Sequence, residues 1–388
     1  MRRSRDRILT THTGSLPRPA DLDQLIADRE AGHEVDQAAF EKRVERAVAD
    51  VVASQLAVGV SVINDGEAGK PGYSTYVKDR LTGFGGTGRP LTSVEGIEFP
   101  ELTVRTEDGR PLLRSISIPA CNGPVELRDR EAVQKDVANI KSSVQNAEPA
   151  DVFMTAASPG VIATFLANDY YDTQEEYLYA LAGAMKPEYE AIAAAGIVLQ
   201  LDCPDLAMTR SMLGNDTLTD EEFRDQIRMH VRALNHAVRD IPPEQMRMHV
   251  CWGNSERPHI TDIPMATIVD IVLEARPAGL SFEAANPRHA HEWKVWKDVR
   301  LPDGKVLIPG VIDSTTNFVE HPELVAQRIV KFAEVAGKEN VIAGTDCGFG
   351  TFAGYYAVKP RITWLKLAAM AEGAELASNY LWDRKRGL

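Results

Sequence analysis

The chain has 388 residues, 44% hydrophobic and 26% charged, with 28 glycines and 22 prolines. This is ordinary globular composition and excludes global disorder, collagen and coiled coil. Lysine and arginine number 43 against 56 acidic residues, a formal net charge of −13, so neither nucleic acid nor an anionic membrane surface is an expected partner.

The N-terminus, MRRSRDR, is basic, but no apolar run of signal-peptide length follows it. No segment approaches about 18 uninterrupted apolar residues, so no membrane span is expected. Four cysteines in a chain this long do not make a disulfide framework. A cytoplasmic location with reduced thiols is the expectation.

In chain order, a short strand at 8–12 precedes a helix at Gln37–Ala57, and a second strand covers 61–64. A third strand at 152–155 is followed by a helix at 174–195. The run IVLQLD at 197–202 precedes a helix at 220–240, where Phe223, Ile227, Val231 and Leu234 recur at helical spacing. RMHVC at 247–251 leads to a helix near 266–275, and GLSFE at 279–283 to one at 289–296. VLIPGVI at 306–312 precedes a helix at 322–335, and VIAGT at 341–345 one at 360–376. Pro322 and Pro360 suit a first helical turn. Eight strands alternating with helices imply a parallel sheet closed into a (β/α)8 TIM barrel. An open doubly wound sheet is the alternative, disfavoured because no GxGxxG opens the first βα unit.

The alternation breaks between about 79 and 130, which is Gly- and Pro-rich. There 102–106 and 112–118 flank Glu107-Asp108-Gly109, reading as a β-hairpin inserted after strand two and placed to act as a lid. With no internal repeat or linker, residues 1–388 read as one barrel domain.

In a barrel the active site lies at the C-terminal ends of the strands. Those ends read Thr13-Gly14-Ser15, Asp65-Gly66-Glu67, Ser158, Asp202-Cys203, His249-Val250-Cys251, Glu283, Asp313 and Asp346-Cys347-Gly348. His249 and Cys251 are two apart on one strand, so their side chains share a face. Glu283 ends the next strand and Cys347 the last. Two thiolates, one imidazole and one carboxylate suit Zn²⁺ and argue against Mg²⁺ or Ca²⁺. Singly, a cysteine or histidine is more often a packing residue than a ligand; the coincidence at strand ends carries the reading. Zn²⁺ would ionise an incoming thiol, whose free pKa is about 8.5, and leave it nucleophilic. The chemistry expected is S-alkylation, most simply methyl transfer to a thiol. Asp346 would orient the centre from behind.

The motifs HTGSLPRP (12–19), INDGE (63–67), LQLDCPDL (199–206), HVC (249–251), FE (282–283), PGVIDSTTN (309–317) and GTDCG (344–348) resemble the catalytic, zinc-binding half of cobalamin-independent methionine synthase, together with the short methionine-synthase-like proteins. The resemblance implies a (β/α)8 barrel related to that of uroporphyrinogen decarboxylase, a place in methionine biosynthesis, and one Zn²⁺ per chain. It implies His249, Cys251 and Cys347 as permanent ligands and Glu283 as the ligand a substrate thiol displaces. Ser15, after Gly14, matches the position holding the carboxylate of homocysteine, and Glu67 and Asp202 match those holding its amino group. Arg18 is a candidate for a substrate anion, and Tyr76 for the pocket wall beside Tyr73 and Lys78. The methyl donor would be a methylated folate or methylcobalamin.

The chain departs from that family in two ways. The long half that helps hold a polyglutamylated folate is not matched. Thr315, beside Asp313, also stands where the family carries a proton-donating histidine, and a hydroxyl is a poor acid at neutral pH. His12, or His321 a few residues on, could take that role, and Asp313, Thr315 and His12 join Glu283 as the candidate catalytic residues. Alternatives are therefore a zinc enzyme joining a thiol such as coenzyme M to an epoxide, and a metal-free barrel resembling uroporphyrinogen decarboxylase. The identities of thiol and donor, and the oligomeric state, a homo-oligomer included, are left open.

Overall fold

In the computed structural model, residues 1–89, 91–102 and 118–383 are described. Eight parallel strands carry the fold. They are β1 (Leu9–Thr10), β2 (Val62–Ile63), β5 (Asp151–Ala157), β6 (Val198–Asp202), β7 (Met246–Val250), β8 (Gly279–Phe282), β9 (Val306–Ile312) and β10 (Ile342–Thr345). Their order is β1-β10-β9-β8-β7-β6-β5-β2. The ends of this sheet meet: the Ser61 N–H donates to the Thr10 carbonyl at 3.2 Å, and Thr11 Oγ1 to the Val62 carbonyl at 3.0 Å. The chain is thus the expected eight-stranded barrel.

The helices lie where the periodicity placed them, at Gln37–Ala57, Gln174–Ala194, Asp220–Ala237, Met265–Glu274, Pro322–Ala336 and Pro360–Asp383. Helix Asp220–Ala237 starts on a capping box, Thr219 Oγ1 accepting from the Glu222 N–H and Glu222 reaching back to the Thr219 N–H. Helices at Ala20–Glu30, Glu131–Ser143 and Pro159–Phe165 had no sequence expectation. The expected helix at 289–296 is instead a 3₁₀ turn, Glu292–Lys294, and one helical turn, Val295–Asp298. Pro287 precedes it, and Asn286 Oδ1 accepts the N–H groups of Arg288 and His289 in a local turn that competes with the helix.

The insertion after β2 contains an antiparallel pair, β3 (Phe84–Gly85) with β4 (Ala120–Cys121), and a short helix, Val94–Glu98. The expected hairpin around 107–109 lies outside the described residues. The insertion docks on the C-terminal mouth. Buried Glu95 accepts the N–H groups of His259 at 3.1 Å and Ile260 at 2.5 Å, and Ser93 Oγ accepts from Arg257 at 2.7 Å.

The barrel interior is layered. Leu9, Val62, Phe153, Val198, Ile308 and Ile342 belong to an apolar cluster near the strand starts. Above it lies buried Arg247, its guanidinium carbon 3.7 Å from the Phe153 ring centroid, donating to Gln200 Oε1 and Thr11 Oγ1. The open end above this layer holds the site. Among the described residues, no helix is long and apolar enough to cross a membrane.

Candidate metal centre and substrate pocket

β7 and β10 each deliver their last residues into the mouth of the barrel. His249, Cys251 and Cys347 are buried, and their ligand atoms lie within 4.8 Å of one another. Cys347 Sγ is 3.6 Å from His249 Nε2. The opposite ring nitrogen, His249 Nδ1, sits 3.1 Å from Ser281 Oγ on β8. Burial, with Arg247 beneath, pulls the His249 imidazole down to about 3, so the ring is neutral. With Nδ1 held by Ser281, Nε2 offers its lone pair toward the sulfurs.

The donor set fits a soft divalent ion. The hydrogen bond to Cys251, then burial, push the Cys347 thiol well above the usual range. Two thiolates cannot share this space without a cation. All four cysteines, Cys121 and Cys203 among them, are free and buried.

Glu283 approaches from one side. Its Oε1 accepts from the Cys347 thiol at 3.6 Å and from the Trp252 N–H at 2.8 Å, while Oε2 accepts from Asn286 Nδ2 at 2.7 Å. Burial, and then the charge of Asp346, raise this carboxyl to about 7. Asp346 anchors the loop that carries it: Oδ1 accepts the Ala284 and Ala285 N–H groups and Oδ2 that of Asn286, each at 2.8 Å.

A cavity of about 200 Å³ opens beside the three ligand candidates. Thr13, Ser15, Glu67 and Asp202 line it, together with the apolar side chains of Leu91, Met208, Phe165, Phe352 and Tyr355. Glu67 is built to face inward, its backbone at φ +55°. Its Oε1 accepts from Thr155 Oγ1 at 3.0 Å, and its Oε2 is buried without a partner. Asp202 Oδ1 accepts from Gln200 Nε2 at 2.7 Å. Burial, then the neighbouring Glu67, push Asp202 up to about 8; burial raises Glu67 too. Gly14 makes room for this pair. A Cβ there would meet Glu67 Oε1 and Thr155 Cγ2 at 2.6 Å, on a backbone at φ +151°. Ser15 Oγ accepts weakly, at 3.4 Å, from the Gly350 N–H.

Five sequence candidates are placed elsewhere. Arg18 lies outside the cavity wall, its guanidinium donating to the carbonyls of Gly350, Glu67 and Lys70 at 2.8–3.0 Å. It clamps the loop that carries Glu67, and its Nε is buried without a partner. Tyr76 donates to Glu188 Oε1 at 2.6 Å and accepts from the Ala157 N–H, behind the wall. His12 is buried, with Nε2 on Gln55 Oε1 at 2.8 Å. Burial takes it down to about 3, so the ring is neutral and is no acid at neutral pH. Thr315 Oγ1 donates to Asp313 Oδ1 at 2.8 Å, and Thr316 Oγ1 donates to Asp313 Oδ2. Asp313 and Thr315 therefore satisfy each other in a turn, in a neighbouring cleft that Glu283 also lines.

A second group of ionisable residues escaped the sequence reading. His259 Nδ1 and His289 Nε2 each lie 2.9 Å from the same atom, Asp262 Oδ2. His259 and Asp262 line the cavity with Cys251 and Cys347. Burial lowers both rings' proton affinity, but Asp262, and Glu292 for His289, more than offset it, to about 9 for His259 and about 10 for His289. The only local signal was the i,i+3 spacing of 259 with 262 and of 289 with 292. The join between the two pairs is tertiary.

Fold and site together define a class: a (β/α)8 barrel with a Cys₂His centre at the C-terminal ends of its strands and a carboxylate-bearing cavity beside it. Residues 124–372 match the family described as the catalytic domain of cobalamin-independent synthase, and the chain belongs to that family. The chain is 24% identical over 373 residues to a methionine synthase of Thermococcus kodakarensis, covering 96% of this chain and 94% of the relative. It is 25% identical over 365 residues to the uncharacterized protein YxjH of Bacillus subtilis, covering 92% and 91%. A B12-independent methionine synthase from Shewanella sp. W3-18-1, solved with selenomethionine, superposes with a TM-score of 0.74 at 19% identity, covering 97% of this chain and 99% of that one. That likeness speaks for the fold.

Proposed function

We propose that this protein is a zinc-dependent methyltransferase that methylates the thiol of homocysteine. The observation that carries the reading is one cavity lined by His249, Cys251 and Cys347 together with an unpartnered, buried Glu67 oxygen and Asp202. His249, Cys251 and Cys347 would hold Zn²⁺, which when bound supplies a thiolate at neutral pH. Glu283 already has protein partners for both oxygens, so it can leave a ligand position to an incoming sulfur without being stranded in the interior.

The chain's own residues select the rest of the substrate. Glu67 and Asp202 form an acidic pair that costs free energy while the cavity is empty and is relieved by an ammonium group. The Ser15 hydroxyl, on the cavity wall, offers a donor for a carboxylate. An α-amino acid bearing a thiol satisfies all three; coenzyme M, a sulfonate without an amine, would leave the acidic pair uncompensated. The apolar part of the lining, with Phe165, Phe352 and Tyr355, suits a flat or apolar methyl carrier. Thr315 is committed to Asp313 and His12 is neutral, so neither is ready to protonate a departing folate nitrogen; the donor is a methylated folate or methylcobalamin.

The test is an assay of zinc-loaded protein with homocysteine against methylfolate, methylcobalamin and an epoxide panel. Methionine formed from a methyl donor, and lost on metal removal, is the expected result. Turnover with epoxides alone, or full activity of chelated protein, would reject the reading.

A further inference from the structure

We propose that His259, Asp262 and His289 form a second divalent-metal site, separate from the Cys251–Cys347 centre and open to the cavity on its His259 and Asp262 side. Three atoms of metal-binding type converge: His259 Nδ1, His289 Nε2 and Asp262 Oδ2 lie within 4.8 Å of one another, and both nitrogens sit 2.9 Å from the one oxygen.

The outer nitrogens decide which groups face inward. His289 Nδ1 lies 2.9 Å from Glu292 Oε2, and His259 Nε2 lies 3.1 Å from the Ser255 carbonyl. Both partners only accept, so both outer nitrogens carry hydrogen. If the inner nitrogens carried hydrogen too, two imidazolium rings would point at a single carboxylate oxygen, with His289 and Asp262 each only 3% exposed. Without a metal, Asp262 and Glu292 hold both rings protonated, to about 9 and about 10, as two cations against two carboxylates. A divalent ion at the centre replaces the two inner protons at the same total charge and leaves both rings neutral. The carboxylate behind His289 and the carbonyl behind His259 are the partners that orient metal-bound imidazoles.

The surroundings hold this geometry. His259 sits at φ +57°, a conformation costly for a residue with a Cβ, and buried Glu95 of the insertion accepts the N–H groups of residues 259 to 261. The Trp252 ring stacks on His289 at 4.0 Å between centroids. Trp252 follows Cys251, and its N–H binds Glu283, so the two sites share a wall. Two nitrogens and one oxygen suit a transition-series divalent ion, Zn²⁺ or Co²⁺ included, over Mg²⁺. Its place in the cavity wall would make it a Lewis acid for the methyl carrier; that role, unlike the site, rests on the methyltransferase reading.

The test is metal stoichiometry. Metal-free protein is titrated with Zn²⁺ against a chromophoric chelator and the bound metal counted by elemental analysis; Co²⁺ titration follows the thiolate charge-transfer absorption in parallel. Two equivalents are expected in the native chain. One should remain in Cys251→Ser/Cys347→Ser, without thiolate absorption. One should remain in His289→Gln and in Asp262→Asn, with that absorption intact. Glu292→Gln should weaken the second equivalent about 10–100-fold. Should His289→Gln fail to fold, the half-buried His259→Gln serves in its place. A single equivalent in the native chain, or a second equivalent that survives both His289→Gln and Asp262→Asn, overturns the proposal. Loss of the thiolate site alone would instead count against the proposed function.

Discussion

Cys347 Sγ lies 3.6 Å from His249 Nε2, although 98 residues separate them in the chain. β7 and β10 are not neighbours in the sheet; β8 and β9 stand between them. Only closure of the barrel brings their ends to one point, and the chemistry proposed for the site depends on that closure.

If the three side chains hold one Zn²⁺, Cys251→Ser and Cys347→Ser should each lose the metal and reduce methyl transfer to background. Ser281→Ala should be milder. It removes the partner of His249 Nδ1, so zinc affinity should fall about 10–100-fold with the fold intact. Chelator competition and elemental analysis check both.

The acidic pair gives a pH prediction. In the empty cavity Asp202 is held up at about 8 by burial and by Glu67, whereas an ammonium ligand requires ionised carboxylates. Methionine has no thiol to titrate and so isolates this effect. Its affinity should rise from pH 6 to about 8, with proton release seen by calorimetry in buffers of different ionisation enthalpy. Without ligand the sign for stability is opposite. A carboxyl raised above its unfolded value favours the folded state at low pH and loses that contribution as pH climbs toward 8. Melting temperature should therefore fall over that range and recover when methionine is added. Glu67→Gln and Asp202→Asn should each weaken methionine about 10–100-fold, the size of a lost hydrogen bond to a charged group.

Gly14→Ala should damage binding beyond its size. The new Cβ would press on Glu67 Oε1 and Thr155 Cγ2 at 2.6 Å. A stability loss of about 1–3 kcal/mol is expected, with methionine binding reduced more than tenfold because Glu67 is displaced. Denaturant melts and binding titration would show the two effects together.

Arg18→Ala should act on the fold first. Three carbonyls lose a charged donor, at an expected total cost of about 3–5 kcal/mol, and Arg18→Lys should not recover it because an ammonium cannot span the three. A variant of normal stability with a raised KM for homocysteine would mean that the guanidinium meets substrate after all.

Much of the scaffold was legible along the chain. Helix Gln37–Ala57 falls where the sequence put it, and each barrel strand overlaps its expected span. Those features arise from short-range periodicity and from residues at strand ends. The face shared by His249 and Cys251 follows from the two-residue repeat of a strand in the same way. The partners of isolated polar side chains were not legible. Arg18 beside the Gly14-Ser15 turn looked like an anion site, yet folding laid three carbonyls around it. Thr315 stands where the resemblance places a proton donor, and Asp313 two residues away holds its hydroxyl.

By itself, then, the sequence determined the alternation of strands and helices and which residues end each strand, since both are written in spacings of two to four residues. The tertiary structure decided which of those ends face one another, which acids stay unpaired in the cavity and that Asp262 joins His259 to His289. Such contacts span tens to hundreds of residues, and a side chain's partner is whatever the closed barrel brings within hydrogen-bond reach.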